Sequence, residues 1–291
     1  VFLYDSSYNN LSGNKATGNH RGVSLATSAH NEFTGNNASA NTENGVYLQS
    51  SNNNTFIGNR ADNNGLHGFS VNASSDNRFL NNTATSNTAG AGFGLFSGST
   101  GNDLVQNNAS LNANGFYLAD STFNSFSGNN ASANSLNGIL IVNSDSNILT
   151  ENIASGNGDN GLQLTQSGFN TLWGNNATDN TLNGISLEYS NHNNLTGNTV
   201  DNNKENGISL LNSDDNNLTG NSVWSNNVAG MYLLNSNRNN LTDNYAGGSL
   251  LYDGIDLIGS NDNVLLNNTA FFNTEDGIYL FSSANNTLVS N

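Results

Sequence analysis

Cysteine and proline are absent from the 291 residues. Without Cys there can be no disulfide and no thiolate metal site, and the redox compartment stays open. Basic residues are scarce: six Lys and Arg stand against 22 Asp and Glu, a formal net charge of −16. Neutralising phosphates requires clustered basic side chains, so nucleic acid is excluded as a partner and anionic membrane surfaces are disfavoured. No run of 18 apolar residues occurs, so no segment reads as a membrane-spanning helix. The chain opens on Val1 rather than Met, which reads as a processed product or an excised piece. Only 34% of residues are apolar and 31 are Gly, a composition that would be loop-rich or disordered if scattered.

The residues are not scattered. Glycine recurs at Gly22, Gly45, Gly68, Gly92, Gly115, Gly138, Gly161, Gly184, Gly207, Gly230, Gly254 and Gly277, spaced 23 apart with two intervals of 24. After each comes an apolar, outward, apolar alternation, as in Gly207-Ile208-Ser209-Leu210, which reads as a short strand. A Leu or Phe column runs from Leu11 and Phe33 to Leu265 and Leu288, and a column of small apolar residues from Ala16 to Ala270. Each repeat thus offers about three short inward-facing segments, none able to bury its apolar side alone. Stacking the coils at roughly 4.8 Å pairs each strand with its equivalents above and below. The predicted fold is all-β, a right-handed parallel β-helix of about 12–13 coils forming one solenoid over residues 1–291. A leucine-rich repeat has a similar period but needs longer Leu spacing and a helical side.

Two asparagine columns accompany the strands, one through Asn193, Asn216 and Asn239, the other five residues later through Asn198 and Asn221. Both fall where strands must turn. Asn tolerates left-handed backbone angles and its amide can bond the Asn one coil away, so the columns read as corner ladders. A serine column (Ser51, Ser144, Ser190, Ser213, Ser236) marks another bend, and Asn-Gly pairs such as Asn206-Gly207 are expected to supply positive backbone angles at the remaining turn.

The coil pattern NGIxLxxSxxNNLTGN resembles the β-helix repeats of the NosD-like, carbohydrate-binding and sugar-hydrolase group, and in its asparagine richness those of archaeal surface-layer and sheath proteins. The resemblance covers the whole chain and implies the fold. It leaves function open, because such coils support lyases, epimerases, adhesins and envelope building blocks. Enzymes of this group gather carboxylates on the outer face of one sheet, with Lys or Arg in the lyases. Here the outward positions after the repeat glycine include Ser186, Ser209, Tyr232, Asp256 and Tyr279. Only Asp256 qualifies, and Glu188, three coils away, lies roughly 14 Å from it, beyond the ~5–9.5 Å of paired carboxylates. The expectation is therefore a protein that is not an enzyme.

Asp253, Asp256, Glu275 and Asp276 form the densest acidic cluster, with Asp253 and Asp276 at one coil position about 5 Å apart. A calcium ion would relieve their repulsion; the alternative is solvated turn carboxylates. No other cofactor is expected. The copper attached to the NosD name finds no constellation: His30 and His192 lie seven coils apart, His20 and His67 occupy unlike positions, and the single Met231 stands without Cys. Sequons at Asn37, Asn194, Asn217 and Asn240 are glycosylation candidates, although the repeat itself generates them.

The leading expectation is an extracellular structural β-solenoid of an archaeal cell envelope whose partners are copies of itself. Outward Leu211, Leu234, Ile258 and Phe281 make a lateral contact stripe, and Val1, Leu3 and Leu288 mark ends that lack capping segments and stack. Arg238 is expected between Asp215 and Asp262 in neighbouring coils. The alternative is a carbohydrate-binding or polysaccharide-modifying module with Tyr47, Tyr117, Tyr232 and Tyr279 as stacking residues and cell-surface polysaccharide as ligand.

Overall fold

The computed structural model describes residues 1–291 as two compact units, Val1–Ile148 and Leu149–Asn291. The chain is an all-β right-handed parallel β-solenoid of about 13 turns, without helices. In the first unit, the strands after the repeat glycines pair parallel from Phe2–Tyr4 to Ile139–Val142, forming a first face. The Leu/Phe segments pair likewise from Asn10–Ser12 to Ser125–Ser127, forming a second face. The third side carries only isolated bridges, Lys15 to Asn37 and onward to Asn130. The second unit repeats the two faces from Leu162–Thr165 to Ile278–Phe281 and from Thr171–Trp173 to Thr287–Val289. It also gains a true third sheet, Thr199–Asp201, Ser222–Trp224, Tyr245–Gly247 and Thr269–Phe271.

Register places like over like. Phe33, Phe56 and Phe79 stack with centroids 4.7 and 5.0 Å apart, and Phe69 lies 4.6 Å from Phe93. In the second unit the interior is Leu and Ile, with Leu187, Leu210, Leu233 and Leu257 in one fully buried column. Where the third-side column changes from Ala to Val, at Val200 and Val223, the bridges become strands, as β-branched side chains favour.

Most coils turn at four left-handed residues, for example Asn212, Asp215, Gly220 and Ser225, with φ of 48, 59, 62 and 54°. The residue after each of them, Ser213, Asn216, Asn221 or Asn226, is at most 1% exposed. The ladder asparagines therefore do not occupy the left-handed positions expected of them; they follow those positions and are turned inward. Asn198 shows the pattern. Its Oδ1 accepts the backbone N–H of Asn175 (2.9 Å) and the Asn175 Nδ2 (3.1 Å). Its own Nδ2 donates to the Leu172 carbonyl (3.0 Å) and to Asn221 Oδ1 (2.9 Å). A third buried ladder through Asn180, Asn203 and Asn226, and a serine ladder through Ser190, Ser213 and Ser236, satisfy the remaining corners. Buried amides this fully paired fix the register of every coil.

The repeat glycines also differ from expectation, since none of them has positive φ. A Cβ on Gly207 would collide with Val223 Cγ1 and come within 2.6 Å of Asn226 Nδ2 and the Gly230 carbonyl. Glycine is required there because the chain passes against its neighbours, not because of its backbone angle.

Candidate functional site

On the first face of the second unit, two outward columns stand side by side: Ser209, Tyr232, Asp256 and Tyr279, and Leu211, Leu234, Ile258 and Phe281. Strand alternation alone sets this arrangement. The strip thus lies in the expected register, rising to 55% exposure at Phe281. Beside it the column before the repeat glycines, Glu205, Val228 and Tyr252, is joined by Val228 N–H to Glu205 O (3.0 Å) and Tyr252 N–H to Val228 O (3.1 Å). Between Ala246 and Gly254 the coil is one residue longer than its predecessor, and the added length carries the exposed Leu250, Leu251 and Tyr252. Column and strip enclose a groove of about 420 Å³ lined by Glu205, Asn206, Val228, Tyr232, Tyr252, Asp256 and Ile258.

Asp256 is the unusual member. Though on the outward side of its strand, it is 8% exposed, and its Oδ1 has no hydrogen-bond partner. Burial, helped by the charges of Asp253 and Glu275, pushes its carboxyl up to about 6. Tyr232 and Tyr279 are its register neighbours, and burial together with Asp256 raises the Tyr232 phenol. A carboxyl that holds its proton near neutrality in an aromatic-walled groove is equipped to donate one. Glu205, a groove residue, was not singled out in the sequence because it lies before the repeat glycine rather than on the strand.

The other expected sites fare variously. No three His, Asp or Glu side chains come together in a way that could hold a metal ion. The calcium expected at Asp253, Asp256, Glu275 and Asp276 therefore has no ligand set. Asp253 instead uses its Oδ1 to accept the Asp276 backbone N–H (2.7 Å), the bond that Asn206 Oδ1 makes to Ala229 two coils earlier. Glu188 stands in the Leu211 column, two residues along the strand from the Asp256 column, as expected. Arg238 bonds Asp215 (2.8 and 2.9 Å) as expected, but its second carboxylate is Asp214 (3.1 Å), not Asp262. The sequons Asn194, Asn217 and Asn240 lie on strands, where Asn217 and Asn240 donate their side-chain amides to the preceding Asn (3.0 Å). Asn37 accepts the Ser39 N–H (3.1 Å). Val1 and Leu288 are exposed, and Leu3 is buried. Tyr47 lies under Arg21 (4.1 Å) and Tyr117 packs edge-on to Phe96, both in the first unit.

A family model described as "Periplasmic copper-binding protein (NosD)" matches residues 109–250 and 228–291, together more than half of the chain. The chain belongs to the NosD family. A model of the "Right handed beta helix region" matches residues 1–131. Among solved structures, the chain is similar to the A-module of the Azotobacter vinelandii mannuronan C-5 epimerase AlgE6 at TM-score 0.65 and 16% identity, over 100% of this chain and 90% of that one. The AlgE4 A-module of the same organism gives 0.66 and 16%, over 99% and 90%. The periplasmic alginate epimerase AlgG gives 0.59 and 16%, over 98% and 78%. No curated protein sequence matches.

These likenesses correct the expectation that the chain is not an enzyme. The solenoids it resembles are enzymes by their own names, so the β-solenoid fold is in itself no sign of an inert scaffold. The copper in the NosD description does not fit the residues present. His20 pairs with Glu43 (3.3 Å), His30 stacks on Tyr8, His192 stacks on Phe169, and His67 Nδ1 accepts the Ala91 N–H (2.9 Å). Each imidazole is engaged separately, and burial lowers the pKa of His67.

Proposed function

We propose that the chain binds a neutral polysaccharide along the Tyr232–Asp256 groove and cleaves it there. The reading rests on one observation: Asp256, a buried carboxyl with an unpartnered oxygen, lines an open groove between tyrosines. Tyrosine faces stack on sugar rings, and a protonated carboxyl can serve a glycosidic oxygen. The names of the similar epimerases favour a polysaccharide as substrate. A polyuronate is the poorer candidate, because the groove is lined by Glu205 and Asp256 and by no Lys or Arg.

In the proposed step the Asp256 proton passes to the bridging oxygen. The bond from that oxygen to the anomeric carbon breaks, and its electron pair stays on the oxygen. Water adds to the anomeric carbon and gives its proton to Glu205. Glu205 lines the same groove two coils from Asp256, roughly 10 Å along the stack, which leaves room for a water between the two carboxyls. Description of the family as periplasmic supports placement outside the cytoplasm.

Release of reducing ends from β-glucan, mannan, galactan and xylan tests this. Asp256→Asn and Glu205→Gln are each expected to lower kcat by about a hundredfold or more while saccharide binding persists. The wild-type rate should fall as pH rises through about 6, where Asp256 loses its proton. Failure of the wild type to bind or cleave any of the four would overturn the proposal.

A further inference from the structure

The third sheet of the second unit carries a surface that the groove does not use. Its outward residues form two parallel columns: Thr199, Ser222, Tyr245 and Thr269, and Asp201, Trp224, Gly247 and Phe271. Earlier coils hold no aromatic residue at the same positions, which carry polar pairs such as Asn108 and Ser110 or Asn176 and Thr178, with Ile153 the one large apolar exception. The change to aromatics is therefore a departure from the chain's own rule and not a need of the fold, whose interior there is satisfied by Val200, Val223 and Ala246.

The rings make one contiguous aromatic patch. Phe271 lies 5.4 Å from Trp224 and 5.0 Å from Phe272 in tilted contacts, and 4.6 Å from Tyr245 edge-on, between centroids. Trp224 is laid across Gly247, where a Cβ would come within 2.5 Å of its Cζ3, so the indole sits flat against bare backbone. Phe272 is 82% exposed. Aromatics left in water on this scale mark a binding surface.

Polar groups run alongside. Thr199, Ser222 and Thr269 are exposed, and Asp201, which accepts the Trp224 backbone N–H at Oδ1 (2.9 Å), is half-buried with its pKa raised by that burial. Hydroxyls and a carboxylate beside an indole face and neighbouring aromatic edges match a ligand with both apolar faces and equatorial hydroxyls. None of the two columns' residues is Lys or Arg, and the chain carries −16, so an anionic polymer is disfavoured. The columns span three coil intervals, about 14 Å, which suits several sugar units rather than one.

We propose that Trp224, Tyr245, Phe271 and Phe272 form a second binding site for a neutral saccharide chain, with Asp201 and the flanking hydroxyls as its polar contacts. It is independent of the Asp256 groove and stands if cleavage there is disproved.

Two tryptophans make the test direct, since Trp173→Phe leaves Trp224 as the sole emitter. That variant is titrated with gluco-, manno-, galacto- and xylohexaose, with a hexagalacturonate as the charged control. A saturable change in Trp224 emission is expected with at least one neutral hexaose and none with the uronate. In the same background Tyr245→Ala and Phe272→Ala should weaken it by about tenfold, and Asp256→Asn should leave it unchanged. Phe272, being exposed, provides a variant that keeps the fold, and by affinity electrophoresis Trp224→Ala should bind less tightly than Trp224→Phe, the groove accounting for the binding that remains. The proposal is overturned if no neutral hexaose alters the emission or if Phe272→Ala binds like its parent. An emission change that tracks protein concentration and sediments as an oligomer also overturns it, assigning the platform to a second copy of the chain.

Discussion

Asp256 carries the chemistry proposed for the groove, and its environment sets a measurable property of the folded state. Burial keeps its carboxyl protonated to about pH 6, whereas in the unfolded chain it ionises near 3.8. The native state holds the extra proton between those values, so stability falls as pH rises through that window and levels off above about 6. Asp256→Asn cannot ionise. It is expected to flatten this part of the melting-temperature profile and to melt higher than the wild type above pH 6, as calorimetry across about pH 4 to 8 would read. Equal profiles for the two proteins would show that Asp256 ionises normally. Glycines separate into two kinds at this scale. Gly207→Ala drives a Cβ into Val223 and the Asn226 amide and is expected to cost about 3 kcal/mol or more. Gly197→Ala, at φ 62° with open space around it, should cost only about 1 kcal/mol.

At the scale of the element, the ladder governs. Asn198→Ala would strand the Asn175 backbone N–H and the Leu172 carbonyl inside the coil, a loss of about 3 kcal/mol or more by denaturant unfolding. Asn194→Ala, on the outward side of the neighbouring strand, should change stability by no more than about 0.5 kcal/mol. Comparable losses from the two would mean that asparagine recurs for solubility rather than for the ladder. The coil, its faces and two of its asparagine columns were legible in the sequence because stacking repeats one chemical requirement every 23 residues. The third column, through Asn203 and Asn226, lay equally open, five residues beyond the second. What spacing could not show is the side of the turn on which an asparagine falls. A left-handed residue and its inward successor are adjacent, and both Asn and Gly occur at the first. Glycine after Asn likewise reads as a turn, whereas its cause is crowding from the next coil.

For the whole chain, periodicity is strong evidence about fold and silent about function, and the two proposed sites both sit where the period fails. The longer coil ending at Gly254 brings Tyr252 to the groove, and the aromatic third sheet spans coils on either side of it. Glu205 and Asp256 line one groove from coils two apart, a relation hidden when each repeat is aligned on its own strand. The acidic cluster near Asp253 is ambiguous for the converse reason: equivalent positions in successive coils look like a ligand set, whereas one carboxylate there makes the bond to backbone that an asparagine makes two coils earlier. The measurement that bears most directly on the groove is a crystal structure of the Asp256→Asn variant grown with a hexasaccharide of the neutral polysaccharide that the wild type degrades. Sugar rings stacked against Tyr232 and Tyr252, with a bridging oxygen at residue 256, are the predicted result; saccharide bound elsewhere with the groove empty would contradict it.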